Sequence, residues 1–176
     1  MKRGLFWLLV AVTLTNYAVM VAWSLPYISS EAGGLAPFDM RLSGYTFAEA
    51  QAFLAALSPE GNEFYRTTQH WLDLFFPGLM AATVFFAIAT LLPPKFGRWR
   101  YVIAAPVILT AIFDWSENAA VAAMLDAGAE SLTVELAEAA NRWTIAKATV
   151  STAAYSFLLV LLIWKGVARW RRRSRA

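Results

Sequence analysis

Four long apolar stretches divide the chain, at roughly 4–26, 71–92, 101–125 and 143–164. A helix needs about 20 apolar residues to cross the ~30 Å hydrocarbon core of a bilayer. Each stretch therefore has the length of a membrane-spanning helix. The pattern predicts an all-α membrane protein, a bundle of four transmembrane helices that forms a single transmembrane domain over residues 1–176.

Composition supports this prediction and removes several kinds of chemistry. Hydrophobic residues make up 59% of the chain and charged residues 15%, against ~25% charged in an ordinary soluble domain. The chain has no cysteine, which excludes disulfides, thiolate nucleophiles, iron–sulfur clusters and cysteine-ligated zinc. The first stretch follows Met1-Lys2-Arg3, as a signal peptide would. Its length and the lack of a small-x-small cleavage site favour a retained membrane anchor.

Basic residues are concentrated at one predicted end of the bundle. Eleven of the 15 Lys and Arg lie before the first stretch, in the link 93–100 or in the tail 165–176, and none of these segments contains an acid. Loops rich in Lys and Arg stay in the cytoplasm. We therefore expect both termini (N-in/C-in), the link and the basic tail on the cytoplasmic side of a cell inner (plasma) membrane. Arg169–Arg175 is a conceivable nucleic-acid site, but an orientation signal that also attracts anionic lipid headgroups is the simpler interpretation.

The long connection 27–70 has helical signals of its own. Thr46-Phe47-Ala48-Glu49 matches a capping box, which predicts a helix from Phe47 to about Leu57. Ser58-Pro59 then matches a cap followed by proline at the first helical position, which starts a helix that continues into the second apolar stretch. We expect a helical extracytoplasmic cap over the outer mouth of the bundle. The alternative is that the apolar face of 47–57 lies flat in the outer leaflet.

Polar residues interrupt the third stretch in FDWSEN, residues 113–118. Asp114, Glu117 and Asn118 share one helix face, because positions three and four apart are neighbours. An ionisable group at the centre of a lone membrane helix costs ~2.5–3.5 kcal/mol. We therefore expect this face to point into the bundle, where partners are present.

The other stretches supply such partners. On the fourth, Lys147 is predicted at about the depth of Glu117, so the two are expected to form an ion pair. His70 and Asp73 share a face at the start of the second stretch, and Asn16 lies near the middle of the first. The predicted ligand-binding set is Asp73, Asp114, Glu117, Asn118, Lys147, Asn16, Thr144, Ser151 and Tyr155.

These residues predict an outward-facing, acidic cavity within the membrane that binds a lipid-like or amphiphilic small molecule. Lys147 or Arg142 would bind an anionic head, and Asp114 and Glu117 a cationic one. In an enzyme, Asp114 or Glu117 would act as the general acid or base. The alternatives are a proton-coupled transporter that works as a homo-oligomer, an accessory subunit of a larger membrane complex, and a network that only holds the helices together.

No cofactor is expected, and a metal site is only a weak alternative. His70, Asp73, Asp114 and Glu117 would provide one histidine and three carboxylates, a set that suits manganese or iron better than zinc. A Ser-His catalytic pair is improbable, because His70 is the only histidine. The expected partners are therefore the bilayer, an amphiphilic ligand, and further copies of the chain or other subunits, with no nucleic acid.

Four features together resemble uncharacterised small bacterial four-helix integral membrane proteins. They are Asp39-Met40-Arg41, the loop Ser43-Gly44-Tyr45-Thr46 with its helix, the Asp114-x-x-Glu117-Asn118 stripe, and Lys147 early in the fourth stretch. The resemblance extends over most of the chain. It implies a fold of four helices and a bacterial membrane, and it brings no activity with it.

Overall fold

The computed structural model describes residues 2–174 and shows an α-helical protein. About 87% of it is helical, and the described residues contain no β-strand. The main helices are α1 (Arg3–Glu31), α2 (Phe47–Ala56), α3 (Pro59–Leu91), α4 (Trp99–Ser131) and α5 (Val134–Arg173). All of these except α2 are long and apolar enough to cross a membrane. The chain is thus a multi-pass helical membrane protein.

The helices are longer than the apolar stretches that predicted them. The first continues to Glu31, and the last covers residues 134–173 instead of 143–164. Hydrophobic pattern marks only the part of a helix that meets lipid, whereas Glu, Arg and Lys are good helix formers that extend it into water. The predicted connection 27–70 is correspondingly shorter: residues 32–58 link α1 to α3. Most of the basic tail 165–176 belongs to α5, while Arg175 and Ala176, like Met1, lie outside the described residues.

The four long helices run alternately up and down. Thr13 on α1 hydrogen-bonds Thr83 on α3 (Oγ1 to Oγ1, 2.9 Å), and Ser24 further along α1 bonds Gln69 near the start of α3. The two helices are therefore antiparallel. The main contacts of α1 are with α3, which also packs on α4, and α4 packs most extensively on α5. We call the end that carries residues 32–58 the loop end and the opposite end the terminal end.

The connecting segment 32–58 packs onto the loop end of the bundle. Its buried side chains join apolar residues of α1, α3, α4 and α5 in one core cluster. The predicted capping box is present, since the Thr46 hydroxyl accepts from the Glu49 amide and the Glu49 carboxylate accepts from the Thr46 amide. The members of the segment in this core are Ala32, Phe38, Tyr45, Ala50, Phe53 and Leu54.

Gly44 lets the segment approach α5 closely. Its φ of +86° is a conformation that other residues rarely adopt. A Cβ atom there would lie 2.3 Å from Asn141 Oδ1, the atom that accepts a 2.8 Å hydrogen bond from the backbone N–H of Tyr45. Glycine is therefore required both by the backbone conformation and by the available space.

Two π-helical turns lie at the same level of the bundle. Met20–Ser24 interrupts α1 and Tyr65–Gln69 interrupts α3. A π-turn spaces its hydrogen bonds five residues apart and is common at functional sites. The two turns are joined directly by the Ser24 hydroxyl, which donates to Gln69 Oε1 at 2.5 Å.

Candidate functional site

Three ionisable side chains meet between α4 and α5. Lys147 Nζ lies 3.0 Å from Asp114 Oδ1 and 2.6 Å from Glu117 Oε2. Asp114 is 8% exposed and Glu117 is 1% exposed. The predicted Glu117–Lys147 ion pair is present, and Asp114 joins it. We call these three residues the ion trio.

The ion trio is closed on itself. One ammonium group lies between two carboxylates, and none of the three residues lines the cleft described below. A buried charge that keeps its partner is tolerated, whereas removal of one partner is strongly destabilising. The immediate role of the trio is therefore to hold α4 against α5.

Asn118 and Trp115, also in FDWSEN, hold α4 against α3. Pro77 lies inside α3 and has no N–H, so the carbonyl of Asp73 loses its helical partner. Asn118 Nδ2 donates to this carbonyl at 3.3 Å, and Trp115 Nε1 donates to the neighbouring carbonyl of Leu74 at 3.0 Å. Backbone groups freed by proline in a membrane helix need such replacement partners.

A narrow cleft lies along the seam between α3 and α4 at the loop end. Its accessible volume is only about 20 Å³. That space suits one or two atoms of the size of a water molecule. The lining residues are Asp39, Tyr65, Arg66, His70, Asp73, Asn118, Val121, Ala122 and Leu125.

Asp73 is the most deeply buried acid in this cleft, with 6% of its surface exposed. Its Oδ2 accepts a 2.7 Å hydrogen bond from Gln69 Nε2, and Gln69 in turn accepts from Ser24. Within residues 2–174, no further donor hydrogen-bonds the carboxylate, and no basic nitrogen lies within 4 Å of it. Its Oδ1 is thus left without a protein partner, on the wall of a cleft.

Asp39 brings a second carboxylate to the cleft from the connecting segment. The Tyr65 hydroxyl donates to Asp39 Oδ2 at 2.5 Å. Across the described residues, no basic group pairs with Asp39. Arg66 also lines the cleft but is paired with Asp126 of α4, at 2.5 Å. Among the described residues the cleft therefore holds two acids with no basic nitrogen within 4 Å, and Lys147 of the ion trio acts on Asp73 only from a greater distance.

Some of these residues were missed by the sequence analysis. Gln69 is four positions before Asp73, so helical spacing alone would have placed the two side chains together. Asp39 was noted only in the resemblance, because nothing in a loop sequence indicates which helix it will touch. Ser24 gave no signal apart from being a small polar residue inside an apolar helix.

The predicted ligand-binding set is not gathered around one cavity. Asp73 and Asn118 line the cleft, while Asp114, Glu117 and Lys147 form the ion trio. The remaining four lie outside the cleft, and one of them, Thr144, also contacts Glu117 of the ion trio. Asn16 donates to the carbonyl of Leu72, Thr144 donates to that of Ala140, and Ser151 and Tyr155 follow Lys147 towards the terminal end of α5.

The four residues of the alternative metal site are not brought together either. Across residues 2–174, no three His, Asp or Glu side chains are placed to hold one metal ion. The Lys147 ammonium occupies the position between Asp114 and Glu117, and His70 is exposed at the mouth of the cleft.

Two residues of the connecting segment have shifted acid–base properties. Burial raises the pKa of the Tyr45 phenol well above its usual range, which keeps it neutral. Hydrogen bonds from the backbone and side chain of Thr46 lower the pKa of Glu49. The stabilising contribution of the Glu49 carboxylate is therefore present above its ordinary pKa and is lost as the pH falls through the lower, folded value.

No known protein family, curated protein or solved structure matches the chain. The class that the fold defines is a multi-pass helical membrane protein, and the cleft between α3 and α4 is its candidate binding site.

Proposed function

We propose that this chain is a multi-pass protein of the bacterial inner membrane whose acidic cleft faces outward and binds the polar head of a lipid-like or amphiphilic molecule. The orientation is inferred from the Lys and Arg residues gathered at the terminal end. In this orientation both termini are cytoplasmic, and the connecting segment 32–58 caps the outer end of the bundle.

The observation that carries the proposal is Asp73, a buried acid on the wall of a cleft with no cation beside it. Buried charges in a membrane protein are expensive and are normally paired. Asp114 and Glu117 already have Lys147 as their partner. Asp73 has no cation within 4 Å among the described residues, so a bound cation would supply the partner that its carboxylate lacks.

The position of the cleft suits an amphiphile. It lies on a seam between two membrane-spanning helices, near their loop end, and exposed His70 and Arg66 are at its mouth. Just below it, the ring of Trp115 crosses the seam and is 43% exposed. A polar head in the cleft would leave its apolar tail along this aromatic surface in the bilayer.

The acids first expected to act as general acid or base, Asp114 and Glu117, are bound to Lys147 and are absent from the cleft wall. Binding is therefore the function that the geometry supports best.

Native mass spectrometry of the protein in mild detergent tests the proposal. Ala122 lines the cleft, whereas its neighbour Ala123 is exposed and does not. Ala122→Phe would fill the cleft, and Ala123→Phe is the matched control. We expect a bound small molecule of fixed mass on the wild type and on Ala123→Phe, and none on Ala122→Phe. A wild type without any adduct, or an adduct equally present on Ala122→Phe, would contradict the proposal. Companion chains at fixed stoichiometry would favour the accessory-subunit alternative instead.

The orientation has a separate test. Because the chain has no cysteine, a single introduced cysteine is the only site for a membrane-impermeant maleimide. Ser43→Cys in the connecting segment should be labelled in intact cells, and Lys95→Cys in the basic link only after the cells are opened. The reverse pattern would place the cleft on the cytoplasmic side.

A further inference from the structure

The carboxylates of the cleft indicate what kind of head it takes. We infer that the cleft is a site for a protonated primary amine, held by Asp73 and Asp39. This inference rests on the proposed function, and it adds the charge and the size of the group that is bound.

Charge is the first argument. Asp73 and Asp39 line the cleft without a basic partner, and the one Arg on its wall is already paired with Asp126. An anionic head would bring a third negative group beside two buried or half-buried carboxylates, which like-charge repulsion opposes. A cation would instead form charge-assisted hydrogen bonds, which are about twice as strong as neutral ones.

Hydrogen-bond chemistry is the second argument. A primary ammonium has three N–H donors and no acceptor. Three groups of the cleft have free acceptor sites: Asp73 Oδ1, the second oxygen of the Asp39 carboxylate, and the side-chain oxygen of Asn118, whose amide nitrogen is occupied with the Asp73 carbonyl. Three acceptors around one small space complement the three donors of an ammonium group.

Size is the third argument. The cleft leaves about 20 Å³ for the centres of water-sized groups, and a primary ammonium is close to a water molecule in size. Three methyl groups on the nitrogen would need more room than this and would also remove the donors. The site therefore favours a primary over a quaternary amine.

Residues that already have partners limit the direction from which the amine can approach Asp73. Gln69, held by Ser24, blocks Oδ2 of Asp73 from within the bundle, and Arg66–Asp126 spans the seam on the loop-end side. The other exposed residue of the lining is His70, and we place the approach of the amine on its side of the cleft. Such an amine could come from a lipid headgroup or from a free alkyl amine, and the chemistry of recognition is the same for both.

The test compares amphiphiles with one twelve-carbon tail and different heads, using quenching of tryptophan fluorescence or calorimetry on the protein in nanodiscs. The heads are a primary ammonium, a trimethylammonium, a neutral hydroxyl and a phosphate. We expect the ammonium to bind at least about tenfold more tightly than each of the others. Asp73→Asn should lose about tenfold or more in ammonium affinity, the range of one or two hydrogen bonds to a charged group, so the preference for ammonium over the hydroxyl head should fall. Glu130→Gln removes an exposed acid of α4 that does not line the cleft; it is the matched control and should keep the preference for ammonium.

The outcomes separate this inference from the proposed function. Equal binding of all four heads, abolished by Ala122→Phe, would overturn the amine preference and leave the amphiphile site standing. A preference for phosphate, equal binding of the trimethylammonium head, or an Asp73→Asn variant with unchanged selectivity would also overturn the inference. Failure of every amphiphile to bind would overturn both. Phosphatidylethanolamine against phosphatidylcholine in the nanodisc, with free ethanolamine as a third arm, then distinguishes a lipid source from a soluble one.

Discussion

Replacement of Lys147 by methionine is the sharpest probe of the ion trio. Methionine keeps most of the volume of the side chain and removes its charge, so Asp114 and Glu117 would face each other with no cation between them. They are 8% and 1% exposed, so water cannot take over the role of the ammonium group. Breaking a buried ion pair by removing one partner costs about 3–5 kcal/mol, and we expect the Lys147→Met loss to lie in that range.

Glu117→Gln should destabilise the protein less than Lys147→Met, for a reason that the sequence did not show. Lys147 also binds Asp114 at 3.0 Å, so a complete ion pair remains after the change. The expected loss is about 1.5–3 kcal/mol, the contribution of one hydrogen bond to a charged group. The triple variant Lys147→Met/Asp114→Asn/Glu117→Gln removes every charge of the trio and should be more stable than Lys147→Met alone.

The assay is reversible unfolding in mixed micelles with increasing SDS, followed by far-UV circular dichroism and tryptophan fluorescence. Lys165→Met is the matched control, because this lysine is exposed on the same helix, and it should change the free energy of unfolding by less than ~0.5 kcal/mol. The reasoning is refuted if Lys147→Met costs no more than Glu117→Gln, or if the triple variant is less stable than Lys147→Met.

Three further predictions concern the supports of the cleft, each measured by the same unfolding assay. Gly44→Ala should cost about 1–3 kcal/mol more than Gly34→Ala, since both have positive φ but only Gly44 lacks room for a Cβ; equal losses would contradict this. Asn118→Leu should cost about 1–2 kcal/mol. The cost should be smaller in a Pro77→Ala background, because residue 77 then has an N–H to donate to the Asp73 carbonyl; the same cost in both backgrounds would contradict this. Thr46→Ala should cost about 1 kcal/mol through loss of the α2 cap, and hydrogen exchange in α2 should accelerate; unchanged exchange would contradict it.

The fold was largely predictable because the length and hydrophobicity of a segment are enough to predict a membrane-spanning helix. The Thr46–Glu49 capping box and the Ser58-Pro59 start were also predictable, since both are local signals in which side chain and backbone are close in sequence. The extension of α1 to Glu31 was not, because a helix leaving the membrane loses its hydrophobic pattern while keeping its backbone hydrogen bonds.

The candidate site was predictable only in part. Depth in the membrane correctly predicted Glu117 beside Lys147, since both positions can be counted from helix ends. Depth says nothing about rotation around the helix axis, so it did not separate Asp114, which faces α5, from Asn118, which faces α3. Asp39 depends on the path of a connecting segment whose contacts are formed only in the folded protein.

The paired π-turns have a consequence for how the chain can vary. A π-turn contains one residue more than the α-helical turn it replaces, so Met20–Ser24 and Tyr65–Gln69 each carry the geometry of a single-residue insertion. Deleting one residue within either turn would close it to an ordinary α-helical turn. The flanking parts of the helix would keep their rotation, but the residues of the turn itself, which include Ser24 and Gln69, would shift relative to the shared interface. Length is therefore constrained here as strictly as residue identity. Any two sequences that share this fold should either keep both extra residues or have lost them together.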